Sequence, residues 1–203
     1  NTDGSRGNCA ACHGHHDYSL ANARSAETCG RCHYGKTGPA YEAWKFSKHG
    51  NNWNLERVDT DFNRTGLVPS EQHLNFPDCY VCHLAPTNKD AMDSTHNPGE
   101  RLSWKLATVR STFRENWGQN RLKMQAVCRS CHGNSQVDLF YRRYDAAVMQ
   151  INKIAVAAAE KAGASKKAAE GVKAGAITAK LGAAMMGPLQ VRDGLDLIDN
   201  SKD

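Results

Sequence analysis

The clearest apolar pattern in this 203-residue sequence lies beyond Gly133. Large apolar side chains recur there at helical spacing: Val137, Phe140, Tyr141, Tyr144, Val148, Ile151 and Ile154. Residues three, four and seven apart share one face of an α-helix, so the pattern predicts a long amphipathic helix. After Lys161 the apolar pattern becomes less regular and several glycines interrupt it. Each glycine destabilises a helix by about 1 kcal/mol relative to Ala. A short final helix is expected around 189–198.

The first 132 residues lack a sustained period and are rich in Gly, Asn, Asp and His. Short helical stretches are predicted over 41–49 and 108–113. The whole chain has a mean hydropathy of -0.64 and only 7% aromatic residues. Side chains alone would therefore form a thin core, which calls for reinforcement by something else.

Charge excludes some classes of partner. The formal net charge is +5, but the Lys and Arg residues form no dense run, so nucleic-acid binding is not expected. No stretch of 18 apolar residues occurs, so we predict a chain that does not span a membrane.

All eight cysteines fall into four Cys-x-x-Cys-His motifs. The cysteines are Cys9, Cys12, Cys29, Cys32, Cys79, Cys82, Cys128 and Cys131, and the histidines that follow are His13, His33, His83 and His132. A disulfide framework has no use for those histidines, and zinc sites built from cysteine pairs do not need them. The motif is typical of c-type heme attachment. The sequence therefore predicts four covalently attached hemes c, each with the motif histidine as its proximal iron ligand.

Counting the other histidines addresses the sixth ligand of each iron. Five remain, namely His15, His16, His49, His73 and His96. Four of them could make every heme bis-His, which is a closed, low-spin arrangement suited to electron transfer. His15 and His16 are adjacent, so their side chains diverge and serve different irons or leave one free. The five methionines are alternative ligands, but we interpret them first as packing residues.

Together these features define the predicted architecture. We expect a mainly α fold, a multiheme cytochrome c in which short helices and loops wrap around four hemes. Residues 1–133 form the tetraheme-binding domain. Residues 134–203 form a C-terminal helical segment that packs on this domain or on a neighbouring subunit.

The order of motifs resembles the C-terminal four-heme half of octaheme hydroxylamine oxidoreductases over about residues 9–145. The segments that carry it are Cys9 to His16, Cys29 to His33, Glu42 to Gly50 with Ser-Lys-His-Gly, Cys79 to His83, Thr95-His96-Asn97 and Cys128 to His132. The resemblance implies that His16, His49 and His96 are distal ligands to neighbouring hemes. The family's histidine after the second motif is missing at Tyr34-Gly35-Lys36, which leaves His73 or His15 as the fourth.

Two departures argue against hydroxylamine or nitrite chemistry. The catalytic heme of the octaheme enzymes belongs to the half that has no counterpart here, and their cross-linking tyrosine aligns with Phe140. We therefore expect no catalytic residues and an electron carrier that is not an enzyme. The alternatives are a multiheme oxidoreductase that acts on a small nitrogen compound at an open heme, and a soluble periplasmic shuttle.

The chain is also similar to the tetraheme subunits of extracellular cytochrome nanowires. That similarity implies a homopolymeric filament in which one heme takes its distal histidine from the next subunit, with His15 or His16 as the candidate. Other redox proteins or extracellular electron acceptors are the expected partners. Heme c attachment implies export, and Asn1 to Ser5 lack a basic, apolar leader, so a removed signal peptide is expected. We predict an extracellular or cell-surface location, with the periplasm as the alternative.

Overall fold

The computed structural model describes residues 8–35, 38–69, 76–87 and 92–161. Eight α-helices lie in these ranges: α1 Ala10–His13, α2 Leu20–Arg24, α3 Ala26–Gly30, α4 Ala40–Lys45, α5 Lys48–Glu56, α6 Cys79–His83, α7 Trp117–Arg129 and α8 Asn134–Lys161. Two short 3-10 helices, Arg57–Asp59 and Pro98–Arg101, and two strands, β1 Trp104–Lys105 and β2 Thr112–Phe113, complete the described elements. The predicted mainly α fold of short helices is confirmed.

Each Cys-x-x-Cys-His motif forms one helical turn. The backbone N–H of the motif histidine donates to the carbonyl of the first cysteine at 2.9 Å in the first motif, 3.0 Å in the second and 2.9 Å in the fourth. The third motif is α6 itself. Residues three and four apart lie on one helix face, so this turn presents both thiols and the imidazole on the same side.

A small hydrophobic core lies where the second and third motifs meet. Ala26, Trp53 and Phe76 are buried at its centre, and partly buried side chains including Trp44 and Cys79 pack against it. The indole rings of Trp44 and Trp53 meet edge to face, with 5.5 Å between their centroids. The two motif regions therefore share a core although they are distant in sequence.

The helix predicted over 41–49 is two helices, α4 and α5. Ser47 separates them, because its side chain accepts a hydrogen bond from the Gly50 backbone N–H and caps α5. A Cβ atom at Gly50 would lie 2.4 Å from the Trp44 carbonyl oxygen. Only glycine permits this close approach of the two helices, which fixes where His49 projects.

The prediction of a helix over 108–113 is wrong. Thr112 and Phe113 form β2, which pairs with β1 in antiparallel register, Trp104 opposite Phe113. The rings of these two residues stack with 3.8 Å between centroids. Cross-strand aromatic pairs of this kind stabilise a sheet, and this contact prevails over the helical spacing of residues 108–113.

Helix α8 is present where the apolar pattern places it. Val137, Tyr141, Val148 and Ile151 are buried, whereas Ile154 is 46% exposed. The Asn152 side chain also bonds the backbone of Ser111, accepting from its N–H at 2.7 Å and donating to its carbonyl at 2.8 Å.

The rest of the predicted C-terminal segment, 162–203, and its final helix lie outside the described residues. No helix in the described ranges combines the length and apolar character that a membrane crossing requires.

Candidate heme sites

The third motif has the most completely defined surroundings. Asp78 caps α6, because its Oδ1 accepts a hydrogen bond from the Val81 N–H at 2.9 Å. Asp78 is only 1% exposed, and its Oδ2 has no hydrogen-bond partner in the described part of the chain. Burial raises the pKa of this carboxyl to about 7. The third motif therefore begins on a carboxyl group whose burial favours the protonated, neutral form.

The motif histidine of α6 is oriented by a backbone carbonyl. His83 Nδ1 lies 3.1 Å from the Pro98 carbonyl oxygen. The carbonyl can only accept, so Nδ1 carries the proton and Nε2 is left to bind a metal. Burial lowers the pKa of His83, and the nearby Arg101 lowers it further, although the Pro98 hydrogen bond opposes them. The neutral imidazole is the form that ligates iron.

Two pairs of imidazoles face each other. The ring centroids of His13 and His96 are 6.5 Å apart, with 29° between the ring planes. Those of His49 and His132 are 5.9 Å apart, with 48° between the planes. A metal–imidazole bond of about 2 Å on each side, plus about 1 Å from each nitrogen to its ring centre, gives about 6 Å. Both separations therefore fit an iron ion held between the two rings.

Hydrogen bonds around the Thr95-His96-Asn97 segment hold His96 in this position. The Thr95 N–H donates to the Leu84 carbonyl at 2.9 Å, directly after α6. The Thr95 hydroxyl donates to Glu100 at 2.6 Å and accepts from the Asn97 N–H at 3.0 Å. The segment that follows the third motif thus carries a histidine to the first motif.

His49 reaches the fourth motif from the first turn of α5. Its side chain is partly buried, and burial lowers its pKa, as does the neighbouring His132. Both effects favour the neutral imidazole that binds a metal ion.

The other predicted distal ligands are not brought to an iron-binding partner within the described residues. His15 and His16 are both exposed. Among the ring contacts of the described ranges, none pairs another imidazole with His15, His16, His33 or His83. His73 lies outside the described residues.

No disulfide bond joins the eight cysteines, all of which lie in the described residues. Among the described residues, no cluster of three or more His, Cys, Asp or Glu side chains is placed to hold a metal ion.

Helices that carry consecutive motifs pack against each other. Helix α1 contacts α3, α3 contacts α6, and α6 contacts α7. First and second, second and third, and third and fourth motifs are therefore neighbours.

Sequence reasoning missed three groups around the third motif. Asp78 was detectable in principle, because an aspartate directly before a helical motif is a typical N-cap. The Pro98 carbonyl and the buried Arg101 have no sequence signal, since their roles depend on how residues 98–101 fold back onto α6.

Motif turns with a histidine beside paired cysteines, and facing imidazoles spaced for iron, define a c-type cytochrome with several hemes. The comparisons agree with this class. The chain belongs to the family described as "Seven times multi-haem cytochrome CxxCH", whose model matches residues 3–180. Covalently bound heme c is therefore its cofactor, and electron transfer is the chemistry that such cofactors supply.

A curated relative from Kuenenia stuttgartiensis is the "Probable nitrite reductase-hydroxylamine oxidoreductase fusion protein". It is 37% identical over 96 residues, which are 46% of this chain and 11% of the relative. The predicted resemblance to hydroxylamine oxidoreductases is confirmed.

Two solved structures share the fold. A "Hypothetical multiheme protein" matches with a TM-score of 0.72 and 19% identity, over 99% of this chain and 58% of that one. The reducing HAO-like protein complex of Kuenenia stuttgartiensis matches with a TM-score of 0.65 and 24% identity, over 74% of this chain and 34% of that one. The chain thus spans only part of each of these proteins.

One expectation needs correction. We expected a chain that is not an enzyme, but the curated relative is named for two enzyme activities and the second structure is an HAO-like complex. The lack of a counterpart to the catalytic half of the octaheme enzymes, and Phe140 in place of their tyrosine, therefore do not exclude a role for this chain in an enzymatic assembly.

Proposed function

We propose that this chain transfers electrons through four bis-His hemes c arranged in sequence order. The observation that carries the proposal is the pair of facing imidazole couples, His13 with His96 and His49 with His132. Each couple would give an iron two axial nitrogens and no open position. Such an iron changes oxidation state with little change in structure, which favours fast electron transfer.

The contacts between consecutive motifs support a continuous path. The helices of consecutive motifs pack against each other, α1 against α3, α3 against α6 and α6 against α7. Thioether cysteines lie at the porphyrin edge, so close packing of the helices that carry them would bring heme edges close together. Electrons would then pass from the first heme to the fourth without a long gap.

The distal ligands of the second and third hemes come, in this proposal, from His16 and from His15 or His73, and the one that crosses between subunits is His15 or His16. His33 and His83 are the corresponding proximal ligands. Helix α3, which precedes His33, packs against α6, which ends at His83, so the two irons would be close to each other.

We further propose that the chain polymerises outside the cell or on its surface, with His15 or His16 donated to a heme of the next subunit. The exposure of both imidazoles supports this. An exposed imidazole with no iron in its own subunit can complete an iron in another, which gives a head-to-tail, open assembly.

Polymerisation can be tested with His15→Ala and His16→Ala. One of the two variants should lose filaments in electron micrographs and elute as a monomer, while retaining its heme content. Asp17→Ala, an exposed neighbour, is the control and should assemble normally. Filaments of normal length in both histidine variants would contradict the intersubunit ligand.

A second candidate is oxidation or reduction of a small nitrogen compound at one open heme. It is favoured by the curated relative and by the lack of a facing imidazole for His33 within the described ranges. Carbon monoxide distinguishes the two candidates, because it binds only an accessible ferrous iron. We expect the dithionite-reduced protein to show no carbon monoxide adduct; an adduct at one heme in four would support the catalytic alternative.

A further inference from the structure

Arg101 is a buried cation beside the third motif. The residue is 2% exposed and is among the largest fully buried side chains. Its Nη1 donates to the Cys82 carbonyl at 3.1 Å and its Nη2 to the Ala85 carbonyl at 2.6 Å. Both acceptors are neutral, and the ion pairs of the described residues do not include Arg101.

This positive charge is only weakly compensated by its neighbours. The adjacent carboxylate, Glu100, has a side chain that is 33% exposed and is engaged by Lys123 and Thr95. An arginine stays protonated even where burial lowers its pKa, so the site keeps its charge. Burying a charge is costly, and such a cost is expected where the charge has a use.

The backbone places the cation close to the iron ligand. The 3-10 helix Pro98–Arg101 supplies both the carbonyl that orients His83 and the guanidinium that binds the Cys82 carbonyl. Cys82 directly precedes His83, so the guanidinium bonds the backbone of the residue next to the iron ligand. The charge of Arg101 would therefore act on an iron bound to His83.

We propose that Arg101 raises the reduction potential of the heme attached at the third motif. Reduction converts ferric to ferrous iron, so one electron enters and the net charge of the heme falls by one. A fixed cation in a low-dielectric interior destabilises the more positive ferric form and therefore favours the electron. The inference rests on the proposed function in that it requires a redox-active heme on His83.

The consequence for the electron path is specific. In the proposed order the third heme lies between the second and the fourth, so Arg101 would raise the potential of an internal site of the path. Arg101 would act on the potential of this heme through its charge, without contact with a substrate.

The test is potentiometric titration of the holo-protein, followed by absorption and electron paramagnetic resonance, in three variants. Arg101→Gln removes the charge but can still donate a hydrogen bond, and Arg101→Lys keeps the charge. Arg57→Gln is the control, since Arg57 is an exposed cation paired with Glu27.

We expect Arg101→Gln to lower one of the four midpoint potentials by at least about 59 mV. For one electron this corresponds to a tenfold change in the equilibrium constant. In Arg101→Lys, the equilibrium constant for reduction of this heme should stay within threefold of the parent value. In Arg57→Gln, all four midpoint potentials should equal those of the parent.

Equal shifts in the Gln and Lys variants, or no shift in either, would overturn the assignment. If the Gln variant does not fold, a tenfold fall in the Lys variant overturns it alone. A parent heme that never reduces would instead contradict the proposed electron transfer.

Discussion

Replacing His49 with alanine is expected to convert one of the four hemes from a low-spin, six-coordinate iron to a high-spin, five-coordinate iron. His49 is the imidazole that faces His132 at 5.9 Å, and its removal leaves the iron between them with one axial ligand. Low-spin signals should fall by about one quarter in electron paramagnetic resonance of the oxidised protein, because one heme in four loses its strong axial field.

A second variant separates ligation from packing. His49→Met offers a thioether in place of the imidazole, so this heme should remain low-spin but gain a higher potential, as His/Met ligation produces. Lys48→Ala changes the exposed neighbour on α5 and should leave all signals unaltered. An unchanged low-spin intensity in His49→Ala would contradict the pairing with His132.

Replacing Asp145 with alanine should produce the largest loss of stability. Its carboxylate accepts hydrogen bonds from both terminal nitrogens of Arg121, at 2.5 and 2.7 Å, and from Trp104 Nε1 at 2.8 Å. The variant leaves a partly buried guanidinium without its partner between α7 and α8. We expect the free energy of unfolding to fall by about 3 kcal/mol, measured by chemical denaturation of the holo-protein.

The matched control is the ion pair between Arg129 and Asp138, which joins the same two helices. The Asp138 side chain is 52% exposed, so Asp138→Ala should cost about 0–1 kcal/mol. Similar losses in the two variants would show that the Arg121–Asp145 contact does not fasten α8.

Much of the site could be predicted because covalent heme attachment uses a fixed, short motif. The helix beyond Gly133 was predictable for a similar reason, since its apolar side chains repeat over several turns. His49 and His96 were singled out through a family resemblance, and the structure brings each to a motif histidine. Their ligand roles stay a prediction until heme is observed between them.

The remaining features depend on contacts between distant residues. Phe113 belongs to a strand because Trp104 stacks on it, and no local pattern around residue 113 contains that information. Arg101 is buried because residues 98–101 fold over α6, while its own sequence neighbourhood is polar and unremarkable. Absence of an enzymatic role was inferred from missing features, and missing features proved a poor basis for excluding catalysis.

The central claim, that every iron carries two histidines, is tested most directly by quantitative electron paramagnetic resonance of the fully oxidised holo-protein. Heme content is measured in parallel. We expect four low-spin ferric hemes per chain in the assembled protein and no high-spin signal. A high-spin component that accounts for one heme in four would contradict it and would place an open iron in this chain.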